Sequence, residues 1–163
     1  MTDVQIHRGL AGVVVDVTAV SNVVPETNSL TYRGYAVQDL AAHCSFEEVA
    51  YLIWHGELPD AEQLQDFSES ERAQREISDS LVSVVDLLPT TCHPMDVLRT
   101  AVSVLGAEDP SEADISASAS LAKAESMFAK LPTVVAYDYR RRRQLERISP
   151  DPTLSYCDNF FYM

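Results

Sequence analysis

The sequence predicts a mainly α-helical protein with a small β-ribbon near residues 10–35. Three observations carry that reading. From residue 37 onward, apolar residues recur three and four apart, the period of a helix face. Two segments open with a helix-capping pattern, Ser45 with Glu48 and Asp60 with Gln63. A valine- and threonine-rich stretch ahead of them is broken by turn residues.

The ribbon comes first. Val13-Val14-Val15 and Val17-Thr18-Ala19-Val20 read as strand, because branched side chains fit a pleated surface. Pro25 to Ser29 supplies the turn, and Leu30-Thr31-Tyr32-Arg33 reads as a short return strand. Gly34 frees the backbone before Tyr35. Such a ribbon is too small to hold a core by itself and needs helices or a partner subunit beneath it.

Helices are predicted over 37–148. Val37 to Ala42 is a short one. The next starts at Ser45, takes its apolar bulk from Phe46, Val49, Ala50, Leu52, Ile53 and Trp54, and ends at Gly56 ahead of Leu58-Pro59. Asp60 opens a third, with Leu64 and Phe67 on one face and a polar, exposed Glu71–Arg75 end. Ile77, Leu81, Val84, Val85 and Leu88 mark an amphipathic helix over 76–88, stopped by Pro89. His93-Pro94-Met95-Asp96 starts another, with Met95, Leu98, Ala101, Val102 and Leu105 as its buried stripe and Gly106 as its end. Ser111 with Asp114 is expected to cap a long alanine-rich helix that Pro132 kinks or breaks. Thr133 to Arg143 continues as helix, and Ser149 to Pro152 is a loop. Residues 154–163 read as the start of a truncated helix, since Asn159-Phe160-Phe161-Tyr162-Met163 is apolar and lacks cap, basic turn and glycine.

Composition narrows the function classes. Of 163 residues, 46% are hydrophobic and 23% charged, which suits a folded domain. A net charge of -13 repels nucleic acid and anionic membranes. The one basic cluster, Arg140-Arg141-Arg142-Arg143, spreads around a helix axis and reads as a solvated face or an interface pairing. Cys44, Cys92 and Cys157 are too few and too widely spaced for a zinc site or a disulfide framework. Met1 to Arg8 has no leader-like apolar run behind it, so a cytoplasmic location is expected, with no membrane or nucleic acid partner.

The candidates for chemistry each have a plainer reading. His93 lies near Asp96 but also suits capping of a helix start. His43 and Cys44 are chain neighbours, which usually point apart, so a nucleophile pair is disfavoured. His55 falls on a last helical turn, where the dipole favours positive charge. Glu47-Glu48, Glu69, Glu71 and Asp79 read as solvated faces. Gly9-Leu10-Ala11-Gly12 lacks the spacing of a nucleotide loop. Tyr32-Arg33-Gly34-Tyr35 is the most distinctive cluster, suited to a carboxylate contact, an aromatic stack or local packing. From the residues alone, an enzyme part competes with a helical interaction or scaffold domain.

Four segments taken together resemble the N-terminal part of the citrate synthase family. They are Gly9-Leu10-Ala11-Gly12-Val13-Val14, Leu30-Thr31-Tyr32-Arg33-Gly34-Tyr35, Ser45 to Leu52 with Gly56-Glu57-Leu58-Pro59, and His93-Pro94-Met95-Asp96. The stretch Cys92 to Thr100 is most similar to the 2-methylcitrate synthase branch. The resemblance implies residues 1–163 are a partial large helical domain, with the small domain absent. It implies an acyltransferase that condenses oxaloacetate with propionyl-CoA or acetyl-CoA, working as a homodimer. It also implies an aspartate that removes the thioester α-proton and two histidines that stabilise the enol and polarise the oxaloacetate carbonyl. None of those groups maps onto this chain. His93, His43 and His55 are therefore not promoted, and neither Arg33 nor Arg72 receives a family role. No catalytic, cofactor or metal residue is assigned; acyl-CoA is the family's substrate, not a bound cofactor. The chain alone is expected to be inactive and to expose apolar surface. The alternative is a non-catalytic scaffold that pairs with a full-length synthase subunit.

Overall fold

A computed structural model describes residues 7–163. Three short strands, β1 (Ser21–Val24), β2 (Ser29–Tyr32) and β3 (Tyr35–Ala36), precede seven helices. These are α1 (Val37–His43), α2 (Phe46–His55), α3 (Ala61–Ala73), α4 (Asp79–Leu87), α5 (Pro94–Glu108), α6 (Ala117–Arg142) and α7 (Tyr156–Tyr162).

The ribbon is antiparallel in the order β1-β2-β3, with Asn22 opposite Thr31 and Thr31 opposite Ala36. It is shorter than the valine pattern predicts. Val13 to Val20 forms no strand; Val14, Val15 and Val17 are 84%, 75% and 87% exposed. No neighbouring strand within the described residues accepts their amides, and branched side chains cannot make a strand without one. Between β2 and β3 the chain reverses through Arg33 at φ 49° and Gly34 at φ 93°.

The two capping boxes form. Ser45 Oγ accepts from the Glu48 amide at 3.2 Å while Glu48 accepts from the Ser45 amide at 2.6 Å. Asp60 and Gln63 exchange bonds of 2.9 Å each. Gly56 closes α2 in the left-handed region at φ 92°, where a Cβ would be strained.

Three helix ends differ from the sequence reading. Helix α4 starts at Asp79, because the Ser78 hydroxyl caps the Leu81 amide. Helix α5 continues past Gly106 to Glu108, so that glycine lies inside the helix. Ser116 caps α6, not Ser111, which instead donates to Asp109 within the connecting loop.

Helix α6 runs unbroken through Pro132. A proline cannot donate to the carbonyl four residues back, here that of Phe128. The Tyr156 hydroxyl on α7 donates to that carbonyl at 3.0 Å and takes the place of the missing amide. The interruption expected at Pro132 is thereby repaired from another element.

One core cluster lies among α4, α5 and α6: Ile77, Leu81, Val85, Val97, Ala101 and Val134 are buried. In α5 the buried stripe is Val97 and Ala101; Met95 (59% exposed) and Val102 (38%) face outward, contrary to expectation. A second, aromatic cluster joins α2, α3, α6 and α7. Phe128 stacks on Tyr156 at 4.3 Å and meets Trp54 edge-on at 5.1 Å, and Phe67 packs edge-on against Tyr51.

Candidate functional site

Several of the charged groups flagged in the sequence can be followed to a partner. Arg33 directs Nε and Nη2 to the Ile53 carbonyl at 3.0 and 2.6 Å. A cation there satisfies one of the free carbonyls in the last turn of α2 and faces the negative end of its dipole. The Tyr32–Tyr35 cluster thus fastens the ribbon to α2, which is the local-packing reading.

His93 is exposed and caps α5, its Nδ1 accepting from the Met95 amide at 3.2 Å. Asp96 pairs with Arg99 at 2.9 Å, not with His93. His55 sits on Tyr51, ring centroids 4.0 Å apart, with Nε2 3.3 Å from Glu125, and so ties α2 to α6. His43 ends α1 and is exposed. Burial, followed by the charge of Glu48, pushes the Cys44 thiol up, away from a reactive thiolate. Among the described residues no group of three His, Cys, Asp or Glu is arranged to hold a metal.

Two carboxylates predicted to be solvated are buried. Glu47 accepts from the Tyr156 amide at 2.8 Å. Glu71 makes a two-pronged ion pair with Arg75, at 2.8 and 2.7 Å, and both side chains are almost fully covered. Arg75 also donates from Nη1 to the Asp151 and Leu154 carbonyls, each at 3.0 Å. The segment read as a polar, exposed end of α3 is therefore an internal anchor for the loop before α7. The i,i+4 spacing of an acid and an arginine was the available signal. Arg72, beside it, keeps its Nε buried and without a hydrogen-bond partner among the described residues.

The arginine run is also not a solvated face. Arg141 donates to the Leu88 carbonyl at 2.7 Å and pairs with Asp138 at 2.9 Å. Arg142 pairs with the same aspartate at 2.6 Å and donates to the Thr90 and Cys92 carbonyls. Arg140 donates to the carbonyls of Glu146 and Met163. Arg143 lies over the Tyr139 ring at 3.7 Å. Guanidinium groups suit this role, since several fixed N–H donors reach several carbonyls from one side chain. Here they hold the loops at one end of the helices.

Two cavities flank the antiparallel α5/α6 pair. The larger, about 580 Å³, lies at the α5 C-terminal end. Its wall includes Lys123 and Lys130, the chain's two lysines. Its charged groups are hydrogen-bonded from within: Lys123 donates to the Glu112 and Asp114 carbonyls, Lys130 to Ser126, and Ser78 donates to Glu108. Hydrogen bonds from Ser111, then the two ammonium groups, hold Asp109 below the usual carboxylate range. The smaller cavity, about 230 Å³, lies at the other end and is lined by Val97, Leu98, Val134, Val135 and Tyr139 with Arg142 and Arg143. Beside it Val102, Val135 and Tyr139 are exposed.

These contacts describe a braced framework whose conspicuous polar residues hold elements together. Comparison with known proteins adds identity. The family model for the citrate synthase C-terminal domain matches residues 9–163. A citrate synthase of Mycolicibacterium smegmatis is 62% identical over 159 residues, 98% of this chain and 42% of that protein. A 2-methylcitrate synthase of Mycobacterium tuberculosis is 61% identical over 158 residues, 97% of this chain and 40% of that protein. A citrate synthase from Pyrobaculum aerophilum superimposes with a TM-score of 0.89 at 36% identity, over 97% of this chain and 42% of that one. The chain thus spans about two fifths of the length of the relatives it matches.

Proposed function

The chain belongs to the citrate synthase family, and from that membership we propose that it is the framework part of an acyltransferase condensing oxaloacetate with propionyl-CoA or acetyl-CoA. The observation that carries this reading is the match across residues 9–163 together with two relatives above 60% identity, one named a citrate synthase and the other a 2-methylcitrate synthase. The scaffold alternative draws no support from those names.

The reaction makes a carbon–carbon bond between the α-carbon of the thioester and the keto carbon of oxaloacetate. A base removes an α-proton, an acid polarises the carbonyl, and water then cleaves the thioester to release coenzyme A. Such proton transfers need groups held in a closed, dry site. In this reading the present chain supplies the rigid platform on which that site rests. His93 caps α5, His55 ties α2 to α6 and His43 ends α1, and none of the three takes part in proton transfer. Propionyl-CoA is the preferred acyl donor, following the likeness of Cys92 to Thr100 to the methylcitrate branch.

The test follows thiol release from either thioester in the presence of oxaloacetate. The chain alone is expected to be silent. Adding the portion of the M. smegmatis relative that this chain does not span is expected to restore release, faster with propionyl-CoA. Turnover by the chain alone would overturn the framework role. A stable complex of the two parts that releases no thiol would overturn the synthase reading.

We also propose that the chain pairs with a second copy through the α5/α6 face. Val135 and Tyr139, both exposed, line an apolar groove at the end of the pair where α5 begins and α6 closes, and Val102 is exposed further along α5. Arg99 and Arg143 lie at one end of the helix pair, while Glu108, Glu112 and Asp114 lie at the other. A two-fold axis across the pair brings the basic end of one copy onto the acidic end of the other. In sedimentation equilibrium a dimer is expected, weakened at least roughly tenfold by Val135→Asp, which buries an unpaired charge. A monomeric parent chain, or a variant that dimerises as well as the parent, would refute this face. Among the described residues no helix is long and apolar enough to cross a membrane.

A further inference from the structure

We draw no further inference here: the strongest candidate, the extended valine-rich arm Val13–Val17 leading into the outer edge of strand β1, is an unpartnered apolar surface and nothing in the structure shows what covers it.

Discussion

The hydroxyl of Tyr156 and the ring of Pro132 form a pair whose energies are coupled. Pro132 leaves the Phe128 carbonyl without its helical donor, and Tyr156 fills that vacancy from α7 at 3.0 Å. Burial holds the Tyr156 hydroxyl above the usual phenol range, so it stays protonated and able to donate. Tyr156→Phe keeps the stacks on Phe128 and Phe46, at 4.3 and 5.0 Å, and removes only the donor. A partly buried carbonyl left without a partner costs about 1–3 kcal/mol. In a protein of this size that corresponds to a fall in Tm of about 2–4 °C per kcal/mol.

In a Pro132→Ala background the new backbone amide reaches the Phe128 carbonyl along the helix. The same Tyr156→Phe change should then cost only about 0.5 kcal/mol. The double-mutant cycle therefore predicts a coupling of about 0.5–2.5 kcal/mol, measured by urea denaturation followed by circular dichroism. An equal cost of Tyr156→Phe in both backgrounds would refute the account of how α6 passes through its proline.

Arg75→Met should destabilise the chain by about 3–5 kcal/mol, because it leaves Glu71 charged and buried without a partner. Limited proteolysis should then cut first within 149–155, where Arg75 holds two carbonyls; unchanged cleavage sites would count against the anchor. At high pH the Tyr137 hydroxyl, 2.5 Å from Asp86, gives a third prediction. Burial, then the bond to Asp86, pushes its pKa up from 10.0 to about 12. The unfolded chain therefore ionises first, and the stability contributed by Tyr137 is full below pH 10 and lost as pH rises through about 12. Tyr137→Phe should flatten that part of the pH–stability profile, while the Tyr156 hydroxyl and the Cys44 and Cys157 thiols, also raised by burial, act in the same direction.

The helical part of the fold was legible because its signals are local. A capping box spans four residues, a left-handed glycine closes one turn, and helical periodicity reports which face is apolar. Ser45, Asp60, Gly56 and His93 therefore took the places their neighbours imply. Local signals also misled. Gly106 resembled a helix end and Ser111 a cap, but α5 packs on to Glu108 and the loop draws Ser111 to Asp109. The valine run looked like strand, yet β-structure needs a second chain segment in register, and no property of Val13–Val20 specifies one.

The order of four short motifs was enough, from sequence alone, to identify the family, and the caps and periods of the chain were enough to set its helical class. The tertiary structure alone decided what the charged residues do. Glu47 meets Tyr156 across 109 positions, Arg75 meets Leu154 across 79, and Arg142 meets Thr90 across 52. A guanidinium or carboxylate looks the same in sequence whether water or a buried carbonyl answers it. Desolvation makes the partner obligatory only after packing has brought the two together.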